Sequence, residues 1–91
     1  MLTLETSTQF RKDQKKALKQ HKNFRTFQLV IQLLQNENTL PEKYCDHPLT
    51  GEWKGARDCH VEDDWVLIYQ IDKKKKTLRL IRLGSHSELF R

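Results

Sequence analysis

Ninety-one residues, 36% hydrophobic and 32% charged, suit one small domain over 1–91: a chain this short buries only about 60–65% of its unfolded surface, yet it is too apolar for a disordered tail. Lys+Arg 17 against Asp+Glu 12 leaves a net charge of +5, which favours anionic partners such as nucleic acid or an acidic protein. No apolar run approaches a membrane span, and the first residues have neither the basic nor the apolar region of a signal peptide, so a cytoplasmic chain with Cys45 and Cys59 as reduced thiols is expected.

Residues 2–6 alternate and predict a short first strand. Thr6 or Ser7 can cap the helix that follows, Thr6 and Gln9 having capping-box spacing. That helix is basic and runs to about His21; its apolar positions Phe10, Ala17 and Leu18 are few, and Asn23 is expected to close it in a left-handed conformation. A second helix is predicted over 24–37, where Phe27, Val30, Ile31 and Leu34 form one face that Leu29 and Leu33 widen. The two helices should lie antiparallel over one face of a sheet. Residues 36–51 are rich in breakers and read as a loop. Strands are predicted over 53–61, 64–71 and 78–83, joined by turns at Glu62-Asp63 and at the four lysines from Lys73. Gly84 ends the last strand, and Ser85 or Ser87 can cap a final turn reaching Leu89-Phe90. The expected fold is α+β with order β-α-α-β-β-β: an antiparallel sheet with two N-terminal helices on one face.

Chemistry concentrates in Asp58-Cys59-His60-Val61-Glu62-Asp63-Asp64-Trp65, where a histidine lies among carboxylates beside the apolar strand 66–69. Nearby carboxylates favour the protonated ring, which suits proton transfer. His47 lies upstream between Asp46, which could orient it or simply begin a turn, and Pro48. His86 follows the glycine that ends the last strand. Lys54, Arg57 and Arg82 lie on predicted strands. An arginine fork there would stabilise charge on a phosphate. Period two puts Arg82 on the face of Leu78 and Leu80, opposite Arg79. Trp65 and Phe90 can stack on a base, although Trp65 suits the core better. Metal binding is disfavoured: Cys59 and His60 point to opposite faces of a strand, and no ligand-pair spacing supports zinc.

Several motifs together resemble the YafQ branch of the RelE/ParE superfamily of toxins from bacterial type II toxin–antitoxin systems. They are Leu40-Pro41-Glu42-Lys43-Tyr44, Asp46-His47-Pro48-Leu49, Gly51-Glu52-Trp53-Lys54-Gly55, Arg57-Asp58-Cys59-His60-Val61, Asp64-Trp65, and Arg82 through Phe90. The resemblance implies a RelE-like, microbial RNase-like fold and an endoribonuclease that enters the ribosomal A site and cuts mRNA without a metal or other cofactor. It implies attack of the ribose 2′-OH on the adjacent phosphate, giving a 2′,3′-cyclic phosphate and a 5′-hydroxyl. His47, His60, Asp64 and His86 become the catalytic candidates; Arg82, Phe90, Trp65, Lys54 and Arg57 become substrate contacts. His60 and His86 would transfer protons, and Asp64 would orient a histidine or act as base. The family pattern Glu-Pro-Asp-Trp has Asp63 here in place of proline.

The implied partners are the ribosome with its mRNA, and a cognate antitoxin, acidic and partly disordered, through which DNA would be met only indirectly. No membrane partner is implied. A non-catalytic basic module of the same fold, binding RNA or protein, is the alternative. A free ribonuclease acting on naked RNA is a weaker third reading.

Overall fold

The computed structural model describes residues 1–90; Arg91, the last position of the expected domain, lies outside the described residues. The elements are β1 (Thr3–Thr6), α1 (Thr8–Lys19), α2 (Phe24–Gln35), β2 (His47–Pro48), β3 (Arg57–Glu62), β4 (Trp65–Asp72), β5 (Thr77–Gly84) and α3 (His86–Leu89). Two 3₁₀ turns, Glu42–Tyr44 and Gly51–Trp53, punctuate the long loop. One five-stranded sheet has the order β1-β5-β4-β3-β2. It is antiparallel except where β1 runs parallel to β5. The expected α+β order is borne out, with β2 as an added edge strand and one parallel pair.

Ser7, not Thr6, caps α1: its side chain accepts from the Phe10 N–H at 2.9 Å and its hydroxyl donates to the Ile81 carbonyl at 2.7 Å. One hydroxyl thus starts the helix and ties it to β5. The Thr6–Gln9 capping box does not form, because Gln9 donates to Asp13 one turn on. After α1 it is His21 that turns left-handed, with φ 57°. Asn23 instead caps α2, accepting from the Arg25 and Thr26 N–H groups. An Asn side chain that finds two free N–H groups has a better use than a left-handed backbone.

Phe27, Val30, Ile31 and Leu34 of α2 are buried, each contributing roughly 1.5–3 kcal/mol of burial. They join Phe10 and Ala17 of α1 against Cys59, Val61, Trp65, Leu67, Tyr69, Leu78, Leu80 and Leu83 of the sheet. Leu33 packs against this core and widens the face as expected, whereas Leu29 stays 47% exposed and does not. The opposite face carries a smaller cluster, Ala56, Val66, Ile68 and Leu89, flanked by Leu49, Trp53, Ile81 and Phe90.

Two irregularities set which residues face which way. Trp53 folds into a 3₁₀ turn, and Gly55 takes φ 96°, so β3 starts at Arg57 rather than near Trp53. In β5 the register pairs Leu80 with Tyr69 but Arg82 with Ile68, leaving Ile81 as an extra, bulged residue. The bulge resets the alternation: Leu83 joins Leu78 and Leu80 under the helices, and Ile81 lies on the far side. Arg82 is thereby removed from the Leu78–Leu80 face where simple alternation placed it.

Candidate active site

Alternation along β3 divides its side chains. Cys59 and Val61 enter the helix-covered core, so Asp58 and His60 project onto the open face. Their register neighbours are Ile68 and Val66, both of the open-face cluster. β2 then brings His47 directly opposite Asp58. On the other side of the sheet's end, α3 folds back and places the His86 ring 4.8 Å from that of His60, edge to face, with Phe90 5.6 Å beyond His86. Three histidines from a loop strand, a central strand and the C-terminal turn therefore share one face.

Each wall is held by different groups. The Nδ1 of His47 lies 2.8 Å from the Cys45 carbonyl and 3.1 Å from Oδ1 of Asp58. Cys45 is left-handed at φ 50°, where the chain leaves the Glu42–Tyr44 turn. Asp46 does not orient His47. It accepts from Arg57 Nε at 3.3 Å and Nη2 at 3.1 Å, and from the Tyr69 hydroxyl. Burial, and after it the hydrogen bond to and negative charge of Asp46, push the Tyr69 phenol far above its ordinary range, so it stays a donor.

His86 begins a helix of a single turn. Ser85 and Glu88 form a reciprocal capping box, the Ser85 N–H donating to Glu88 Oε1 at 2.9 Å and the Glu88 N–H to Ser85 Oγ at 3.3 Å. Lys16 of α1 pairs with the other Glu88 oxygen. Lys16 and the Ser85 N–H together lower the Glu88 carboxyl to about 2. Asp64 accepts the His86 N–H at 3.1 Å and lies 3.6 Å from its Nδ1. Of the two roles read for Asp64, orientation of a histidine is the one these contacts suit.

The basic and aromatic candidates separate. Arg82 donates through Nε at 2.8 Å and Nη2 at 3.3 Å to Asp13, which also accepts the Leu83 N–H at 2.9 Å. Asp13 covers the edge of β5 beyond the end of β1, and among the described residues Nη1 of Arg82 has no hydrogen-bond partner. Arg57 shares the odd positions of β3 with Cys59 and pairs with Asp46 beside Tyr69, so it clamps the loop instead of joining the histidines. Trp65 is 1% exposed and packs on Phe24 and Phe27 with centroids 5.2 and 5.9 Å away. No base can stack on it, and it leaves the set of substrate contacts. Lys54 is exposed at the end of the Gly51–Trp53 turn.

Two participants were absent from the expected site. Asp58 shares parity with His60, a signal present in the sequence; its burial was not. Asp13 had no sequence signal, because its partners lie 69 and 70 residues away. Among the described residues, no three His, Cys, Asp or Glu side chains converge as a metal-binding group, and no helix is long and apolar enough to cross a membrane.

A family model described as the bacterial toxin of type II toxin–antitoxin system, YafQ, matches residues 2–91. The mRNA interferase toxin YafQ of Escherichia coli (strain K12) is 48% identical over 88 residues, covering 96% of this chain and 94% of the relative. The toxin in the E. coli DinJ–YafQ complex superposes with a TM-score of 0.89 at 46% identity, with all of both chains covered. A metal-bound toxin from Helicobacter pylori gives a TM-score of 0.93 at 49% identity, covering 99% of this chain and 100% of that one.

Proposed function

Since this chain belongs to the YafQ family of toxins from bacterial type II toxin–antitoxin systems, we propose that it is an mRNA interferase, an endoribonuclease that cuts ribosome-bound mRNA in the cytoplasm as a single domain over 1–91. The observation that carries this reading is the contact of His60 and His86, 4.8 Å between ring centroids, with Phe90 beside them. Two imidazoles within reach of one phosphate can supply both a base and an acid near neutral pH.

The step runs as an internal displacement. A histidine takes the proton of the ribose 2′-OH, and the 2′ oxygen attacks the adjacent phosphorus. The bond from phosphorus to the 5′ oxygen breaks, and a protonated histidine gives its proton to that oxygen. The products are a 2′,3′-cyclic phosphate and a 5′-hydroxyl. His60, His86 and His47 are the proton-transfer set, and Asp64 orients His86. The free Nη1 of Arg82 meets the charge that builds on the phosphorane oxygens, and Phe90 stacks on a base beside the scissile bond. Lys54 adds positive charge at the rim.

Every step is assigned to side chains and none to a metal. The H. pylori relative is a metal-bound protein, so chelation belongs in the test. The net charge of +5 suits ribosomal RNA. It also suits an acidic antitoxin that folds on the basic helices, as a counterpart of DinJ in the E. coli complex. DNA is then met only through the antitoxin.

Induction in growing cells tests the reading. Wild type should arrest growth and cleave mRNA, co-expression of the antitoxin should relieve the arrest, and His86→Ala should lower cleavage by about 10²–10⁴-fold. Equal, non-toxic behaviour of wild type and His86→Ala, with no cleavage by either, would identify a binding module instead.

A further inference from the structure

Asp58 is 1% exposed, and its Oδ1 is a buried oxygen with no hydrogen-bond donor among the described residues. A buried, unsatisfied carboxylate oxygen is costly and calls for a reason. Oδ1 lies 3.1 Å from Nδ1 of His47, yet the hydrogen-bond geometry of that nitrogen is met by the Cys45 carbonyl at 2.8 Å and not by Oδ1. Asp58 therefore meets the ring off the hydrogen-bond axis, as a charge and not as a bonded acceptor.

Two oxygens thus flank one ring nitrogen. A carbonyl oxygen can only accept, and an ionised carboxylate can only accept. A lone pair on Nδ1 would face both and be repelled; a proton there is attracted to both. We propose that Asp58 and the Cys45 carbonyl together hold the Nδ1 proton on His47, leaving Nε2 as the nitrogen that exchanges protons, and that Asp58 is a positioning residue for the cleavage reaction. The second half rests on the ribonuclease reading; the tautomer does not.

The charges around Asp58 fit this role. His47 faces it from β2, His60 shares its face of β3, and His86 approaches from α3; Asp46 opposes them from the loop. Burial raises the Asp58 carboxyl, while positive charge on the three histidines lowers it. Burial is the larger effect and leaves the carboxyl above its ordinary value. The positive-φ conformation of Cys45 and the two-residue β2 gain a purpose here: they bring a carbonyl and a ring to a carboxylate fixed on a central strand.

Asp58→Asn keeps the shape and removes the charge. An amide can also turn its NH₂ toward Nδ1, which would move the proton to Nε2. The tautomer is read by long-range ¹H–¹⁵N NMR on the full-length protein, without any substrate. Wild type should carry the neutral-state proton on Nδ1 of His47, and Asp58→Asn should lose that preference while unfolding at a similar temperature. In the cleavage assay on ribosome-bound mRNA, kcat of Asp58→Asn should fall about 100-fold with KM little changed. In a His47→Gln background the same change should cost almost nothing further, since Asp58 acts through that ring. An Nε2–H tautomer in wild type, or an unchanged tautomer in Asp58→Asn, overturns the lock even if the enzyme is active. Full additivity with His47→Gln overturns the positioning role. A wild type that cleaves nothing overturns the ribonuclease reading and leaves the NMR result to decide the lock.

Discussion

The two faces of the sheet do different work. Under the helices lie Trp65, Phe27, Phe10 and the leucines of β4 and β5, with Tyr69 and Arg57 tied to Asp46 at the margin. The open face has four buried apolar side chains, and on it sit Asp58, His60, His47 and the α3 turn. One face supplies most of the burial, and the other carries the groups that can move protons. A side chain's role then follows from its face more than from its type. Trp65 and Phe90 are both aromatic, yet one is core and the other borders a histidine. Arg57 and Arg82 are both ion-paired, yet only Arg82 lies in register with the open-face row through Ile68.

This division can be broken by exchanging the effects expected of each face. The largest effect is expected at Trp65. Trp65→Ala should cost about 3–5 kcal/mol and lower the thermal midpoint accordingly, measured by circular dichroism. His60→Ala should leave that midpoint nearly unchanged and reduce mRNA cleavage by about 10²–10⁴-fold. A strong stability loss at His60, or none at Trp65, would contradict the division. Asp64→Asn should be milder than Asp58→Asn. Asp64 is exposed and bonds the His86 backbone through an oxygen that an amide retains, so about a 3–10-fold loss of kcat is expected.

The smallest effect concerns Lys16 and Glu88, which fasten α3 to α1 at the surface. Glu88 titrates below its ordinary range, so its contribution is complete above about pH 4.5 and is lost as the pH falls through about 2. The NMR signals of His86 and Phe90 should therefore report loosening of α3 in that acid window, and Lys16→Ala should weaken the pH response. The thermal midpoint should change little at neutral pH, because exposed ion pairs contribute little. A response unchanged in Lys16→Ala would show that α3 is held by other contacts.

Much of this plan could be read from the residues. The apolar spacing of Phe27, Val30, Ile31 and Leu34 placed α2 and its buried face. Alternation separated Cys59 from His60 before any contact was known. What could not be read came from long-range geometry. The bulge at Ile81 depends on how β5 meets β4 and α1, so simple alternation misplaced Arg82. Trp65 suited packing better than stacking in the sequence, and Phe24 and Phe27 enclose it, yet stacking could be set aside only once that enclosure was seen. The two-residue β2 lies in a stretch full of turn residues, with no strand periodicity to mark it. Without β2, the pairing of His47 with Asp58 stays hidden, and Asp46, its chain neighbour, looks like the better partner.

The most direct measurement of the central claim is the end chemistry of mRNA cut on ribosomes by the purified protein, with and without a chelator and beside His86→Ala. The expected result is a 2′,3′-cyclic phosphate and a 5′-hydroxyl, formed at the same rate with chelator present and at least about 100-fold more slowly by the variant. Fragments ending in a 5′-phosphate, cleavage abolished by chelation, or equal rates for wild type and His86→Ala would contradict it.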